Sequence, residues 1–267
     1  MTSADRLLGI LELFSIEKPI WTVEEAAQKI GVSISTTYRY FNALTRSGLI
    51  GPVRTGAYTL GPAIIEYDRQ IQLSDPMLQA ARPVMMELLE FDPEGSIVLI
   101  SRLFHDRVMC VEQIRGRLPQ KPVAYERGRP MPMFRGATSK IILAHLPGRR
   151  LRQLFQQHAK EIAESGLGRD FEQFKAEMAR MRRAGACITA AELDPGRVGV
   201  AAPIFDPDKA IQGSLSFVLP DDRADERHLH RLAALTQIAA RDIETAMTVP
   251  SRLNSALARR AGAAVRR

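Results

Sequence analysis

Val32-Ser33-Ile34-Ser35-Thr36-Thr37-Tyr38-Arg39-Tyr40-Phe41-Asn42-Ala43-Leu44 is the stretch that decides how the N-terminal part folds. Ser33 reads as a helix N-cap, since its hydroxyl accepts from a free N–H of the first turn. The helix it opens runs to about Ser47. Thr37, Phe41 and Leu44 recur at helical spacing and form the buried stripe, with Tyr40 beside it. Ser35, Thr36, Tyr38, Arg39 and Asn42 occupy the opposite face. Gly48 ends the helix.

Working outward, Thr22 and Glu25 form a capping box that opens a preceding helix. Val23, Ala26, Ala27 and Ile30 point inward from it, and Gly31 stops it. A first helix is expected from Ser3 to Phe14, on the stripe Leu7, Ile10, Leu11 and Phe14. Downstream, Leu49-Ile50 starts a strand, Arg54-Thr55-Gly56 turns, and Ala57 to Leu60 returns. Helix, helix, short Gly-containing turn, helix and hairpin is the winged helix-turn-helix order. It spans 1–62.

The remainder reads differently. A linker helix is expected over 63–75, and Asp75-Pro76 opens a long helix ending near Phe91. Strands are expected at Ser96 to Leu103, Val108 to Ile114 and Val123 to Tyr125. Helices follow at Met133 to Leu146, Arg149 to His158 and Phe171 to Ala184. Strands at Cys187 to Ala191, Val198 to Phe205 and Gly213 to Leu219 precede a last helix, Asp225 to Met247. This is an α+β pattern: an antiparallel sheet with helices packed on it. The Ala/Arg-rich segment 250–267 reads as a basic, disordered tail.

Composition narrows the function. With 267 residues, two domains are expected. No apolar run approaches a membrane span, no signal-peptide core opens the chain, and a cytoplasmic location is the default. The two cysteines, Cys110 and Cys187, exclude a disulfide scaffold or a Cys-rich zinc site. Net charge is +7. Its distribution matters more than its size. Between Gly31 and Gly61 the only charged residues are Arg39, Arg46 and Arg54.

An acid-free helix face is suited to a duplex. Ser33, Ser35, Thr36, Tyr38, Arg39 and Asn42 sit where a recognition helix needs them. Arg39 suits a guanine edge or a phosphate, and Arg54 at the wing tip a minor-groove or phosphate contact. Arg46 is a weaker candidate. Tyr38 has a second reading, as an aromatic packed on the wing.

Several segments resemble the isocitrate lyase regulator (IclR) family of bacterial transcription factors. They are Arg6 to Phe14, Val32 to Leu44, Tyr58 to Gly61, Arg129 to Pro132, Lys140 to Ala144, Arg183 to Gly185, Glu192 to Gly196 and Val200 to Asp206. The resemblance covers roughly Asp5 to Met247. It implies a GAF-like effector-binding domain over 76–249, a small organic acid as effector, and a homodimer or dimer of dimers on a double-stranded operator. It carries no cofactor. The family's pocket, mapped onto this chain, comprises Phe134, Arg135, Ala137 and Thr138 at a helix entry. Glu192 and Asp194 come from a loop, and Pro203 and Ser216, with Val218 beside it, from strands. A helix entry suits a carboxylate because its N–H groups are free. Arg135 stands where the family usually has a small residue, and Ser139 where it has glycine. Arg135 has two readings: a bidentate partner for an acidic effector, or a side chain turned to solvent or to Glu126.

Enzyme readings find little support. The five histidines are scattered, His228 and His230 diverge on a helix, and neither cysteine lies in a nucleophile motif. No metal or catalytic set is assigned. A GAF-like-domain enzyme and a winged-helix protein acting through protein contacts remain as alternatives. The first needs a nucleophile or an acid–base pair, and the second would tolerate acids on the third helix.

Overall fold

The structure is a computed structural model, describing residues 2–117 and 123–248. The basic tail expected at 250–267 lies outside the described residues. The chain divides into two compact units between Asp75 and Pro76.

The first unit holds α1 (Ser3–Gly9), β1 (Trp21–Thr22), α2 (Val23–Ile30), α3 (Ile34–Arg46), β2 (Ile50–Arg54), β3 (Ala57–Leu60) and α4 (Pro62–Ser74). Both expected caps are present. Thr22 and Glu25 exchange hydrogen bonds as a capping box, and Ser33 Oγ accepts from the Thr36 N–H. Gly31 turns the chain at φ 70°. Between the two helices this gives a turn that a Cβ would strain.

Two local expectations are corrected. The first helix stops at Gly9 instead of reaching Phe14, and Leu11–Leu13 form a single 3-10 turn. The Trp21 indole N–H donates to the Leu13 carbonyl at 2.9 Å, fixing that segment against the sheet side. Trp21 and Thr22 themselves form a strand that the sequence did not announce. They pair with Tyr58 and Ala57, so the wing is a three-stranded antiparallel sheet ordered β1-β3-β2. Ile10, Trp21, Val23, Ala26, Phe41, Leu44 and Ile50 close the core. Phe41 meets the wing residue Tyr58 edge to face, with ring centroids 4.9 Å apart.

The second unit holds α5 (Pro76–Glu90), β4 (Ile97–Phe104), β5 (Arg107–Arg115), β6 (Pro130–Met131), α6 (Ala137–Ala144), α7 (Gly148–Glu164), α8 (Phe171–Ala184), β7 (Cys187–Ala190), β8 (Arg197–Phe205), β9 (Ile211–Pro220) and α9 (Glu226–Thr248). The six strands form one antiparallel sheet ordered β6-β5-β4-β9-β8-β7. Alternation along each strand feeds two cores. Val98, Ile100, Val200, Leu215 and Phe217 face α5 and α9. Ile97, Leu99, Cys110, Ala201 and Val218 face the layer of α6, α7 and α8. The sheet is therefore covered on both faces.

The expected strand Val123 to Tyr125 is not one. Both end residues are buried in the core, but the chain there has no ladder partner. The edge strand is Pro130–Met131, paired with Val108 and Met109. The helix expected from Met133 begins only at Ala137, because Gly136 has φ 81° and ψ 146°. Leucine Leu193 crowds that glycine so closely that a Cβ would lie 2.7 Å from its side chain. Helix α7 continues past His158, whose φ −130° and ψ 25° kink it, to Glu164.

Phe41 is 1% exposed and carries the wing through its ring contact. Phe41→Ala should cost about 3–5 kcal/mol of stability in the N-terminal unit, read by chemical denaturation. His145, at the end of α6, stacks edge-on against Phe205 at 4.9 Å. Burial, with Arg182 nearby, pushes its pKa down to about 4. The folded chain thus binds this proton less readily than the unfolded chain. The resulting stability is present above pH 6.5 and lost as pH falls towards 4. Unfolding measured across that window should show a shallower acid loss in His145→Phe than in the wild type.

Candidate functional site

The recognition-helix candidates come together as read. Ser33 caps α3, and its hydroxyl donates to Thr36 Oγ1 at 2.9 Å. Ser35, Tyr38, Arg39 and Asn42 are exposed along one face, with Thr36 half-buried at its start. Tyr38 is 54% exposed, which removes the reading that packs it on the wing; Tyr58 has that place against Phe41 instead. Arg54 is exposed at the end of β2, where a register shift bends the hairpin tip. Among the described residues no carboxylate pairs with Arg39, Arg46 or Arg54. These guanidinium groups sit in water with their donors available, so presenting them to a phosphate costs little desolvation.

In the second unit, the residues expected around the α6 entry also converge, but on one another. The Glu192 carboxylate accepts from the Gly136 N–H at 2.8 Å and from Lys140 Nζ at 2.6 Å. The next N–H, of Ala137, donates to Thr189 Oγ1 at 2.9 Å. Thr138 Oγ1 donates to Ser216 Oγ at 3.0 Å, and Ser214 Oγ to the Thr138 carbonyl. The helix entry is therefore not free, as the sequence suggested, but holds the chain's own carboxylate. Asp194 turns to the other side of its loop and accepts from the Ala124 N–H at 2.9 Å. Pro203 lies on the α6 side of β8, opposite Ser214. Phe134 is buried, tilted against His158.

Arg135 is exposed and donates to the Glu192 carbonyl. Its expected acid, Glu126, lies instead near Arg115 at 3.8 Å. Ser139 is fully buried, and its Oγ has no hydrogen-bond partner among the described residues. Lys140 and Thr189 were missed by sequence reading. Lys140 is a charge immediately before the apolar run Ile141 to Ala144, which is a signal for a buried ion pair. Thr189 alternates with Cys187 on the inward face of β7. Both cysteines are buried, and burial pushes their thiols up to about 12, leaving them unreactive. Among the described residues no helix is long and apolar enough to cross a membrane.

A winged helix-turn-helix with an acid-free third helix, joined to a two-sided α/β domain, defines a DNA-binding transcriptional regulator. Residues 3–53 match the family model described as the IclR helix-turn-helix domain. Residues 72–245 match that of the bacterial transcriptional regulator IclR C-terminal domain. This chain belongs to the IclR family of transcriptional regulators. It is 26% identical over 237 residues to the HTH-type transcriptional regulator KipR of Bacillus subtilis, covering 88% of this chain and 93% of that one. It is 24% identical to XynR of Escherichia coli, covering 93% and 98%. Among solved structures it resembles an IclR-type regulator from Silicibacter, with TM-score 0.77 and 20% identity over 94% of this chain and 98% of that one. It also resembles an IclR homologue of Microbacterium hydrocarbonoxydans complexed with 4-hydroxybenzoate, with TM-score 0.72 and 19% identity over 92% and 99%. The matched families and relatives are regulators, not enzymes, so the enzyme alternative falls away.

Side-chain exposure at the ion pair is 7% for Lys140 and 29% for Glu192. Removing one partner strands the other charge. Lys140→Met should therefore destabilise the second unit by about 3–5 kcal/mol, and adding Glu192→Leu should restore much of it. A double-mutant cycle by denaturation measures this. A loss in the double variant equal to the sum of the two single losses would show that the pair contributes no coupling.

Proposed function

We propose that this regulator binds a double-stranded operator through α3 and the wing, and that a small organic acid in the second unit sets its affinity. In this reading 1–62 touches DNA, 63–75 links, and 76–249 is a GAF-like effector domain. Ser33, Ser35 and Thr36 hold phosphate at the α3 entry, Tyr38, Arg39 and Asn42 face bases, and Arg54 reaches the backbone or minor groove. The working form is a homodimer or dimer of dimers in the cytoplasm, which suits paired half-sites.

One observation supports the effector reading above the others: the α6 entry binds a carboxylate, Glu192, through an N–H and a buried ammonium. An effector carboxylate offers the same chemistry and competes for the same donors. Phe134, Ala137 and Pro203 supply apolar wall, Thr138 and Ser216 hydroxyls, and Asp194 holds the loop. Arg135, already at the Glu192 backbone, is placed to follow the incoming acid. The 4-hydroxybenzoate complex of the Microbacterium homologue makes an aromatic acid a sensible first probe.

Binding to duplexes flanking the gene is measured by anisotropy across salt concentrations. Arg39→Ala should weaken specific binding by about 1–3 kcal/mol if it reads a base, or flatten the salt slope by about one if it holds a phosphate. Neither change would remove Arg39 from the interface. Thermal-shift titration with 4-hydroxybenzoate and other small acids should raise the melting temperature of the second unit. Unchanged acid affinity in Arg135→Ala would end that residue's role.

A further inference from the structure

Away from the α6 entry, a cavity of about 450 Å³ opens where α6 ends and α7 approaches α8. Leu151 and Phe171 contribute apolar wall, while Arg149, Arg152, Lys175 and Arg182 supply every charge that lines it. Arg152 stacks over the Phe171 ring, 4.5 Å from its centroid. Arg182 is held in place by the Ala144 carbonyl. Among the described residues, Arg149, Arg152 and Arg182 have no carboxylate partner. Lys175 lies 3.6 Å from Glu172, with both side chains mostly in solvent. Helix α7 also starts at this rim, without a side-chain cap and without an acid in its first turn. Its dipole adds to the same sign.

Four like charges around one recess repel one another, and among the described residues the one carboxylate paired with any of them is the solvent-exposed Glu172 at Lys175. A recess of this size with an apolar wall suits a small molecule. We propose that this cavity is a second anion site. It takes a small oxyacid anion, a phosphate monoester or carboxylate, whose apolar body rests on Phe171. The site is independent of the Glu192 entry and does not rest on the effector reading there.

The test uses the full chain at fixed ionic strength, with phenyl phosphate and inorganic phosphate as probes, read by calorimetry and phosphorus NMR. Phenyl phosphate should saturate one site per chain and bind more tightly than inorganic phosphate. Arg149→Gln with Lys175→Gln should weaken it about tenfold or more, the loss expected for charge-assisted bonds. Arg135→Ala should leave it unchanged. Both substituted side chains are exposed; if the pair nonetheless alters the far-UV spectrum or melting, Arg149→Gln alone carries the same comparison. Absence of saturation up to roughly 10 mM, an affinity too weak to matter, overturns the proposal, as does equal binding by wild type and variant. Loss of DNA affinity in the variant with phenyl phosphate binding intact would assign the cluster to the DNA backbone and also overturn it.

Discussion

Glu192 reaches across from the β7–β8 loop to the entry of α6, where one carboxylate oxygen takes the Gly136 N–H and the other the Lys140 ammonium. Much of the second unit is arranged around this contact. Gly136 must be glycine, since its φ is positive and Leu193 from the same loop fills the space a Cβ would need. All eight residues of α6 are buried, including Lys140, so the helix has no solvent face on which to leave a charge. A buried ammonium without its carboxylate would be costly. The ion pair therefore fixes the loop, the loop fixes the glycine, and the glycine sets where α6 begins.

The hydroxyls beneath α6 follow from the same packing. Thr138, Ser214 and Ser216 hydrogen-bond one another between helix and sheet in place of apolar contacts. They are a polar seam inside a core whose neighbours are Val218, Ala201 and Leu99. A purely structural core has little reason to keep such a seam, because apolar residues of similar volume would pack as well. It lies in the first turn of α6, beside the carboxylate held at the entry, where the proposed effector would meet it.

Much of the architecture was legible in the sequence because it is written locally. Thr22 and Ser33 announce helix starts by their own hydroxyls, Thr37, Phe41 and Leu44 repeat with the helical period, Arg107 to Arg115 alternates, and Ile97 to Ile100 and Leu215 to Leu219 are short, mostly apolar runs bounded by turns. What failed was written at a distance. Strand β1 is two residues long and exists because Tyr58 and Ala57 pair with it. Val123 and Tyr125 alternate like a strand and are buried like one, yet no neighbour offers them a ladder. The residues expected at the α6 entry did converge, but Glu192 lies 52 residues from Lys140, and no local pattern tells that it occupies the entry itself. Periodicity reports which face a residue takes, not which partner it meets there.

The α3 face and the α6 entry treat positive charge in opposite ways. On α3 and the wing, Arg39 and Arg54 remain hydrated and unpaired, so an encounter with phosphate releases counterions without first breaking a protein contact. At Lys140 the charge is buried and already neutralised, so any incoming acid must displace a carboxylate that is bonded on both oxygens. The first arrangement favours fast, salt-sensitive association. The second favours selectivity, because only a ligand that satisfies the Gly136 N–H and the ammonium together recovers what Glu192 gives up. On the proposed effector reading, a small inorganic anion would not meet that condition, whereas an acid whose apolar body packs against Phe134 would. On the same proposed reading, such an exchange would free the β7–β8 loop from α6 and give ligand occupancy a structural consequence beyond the entry itself.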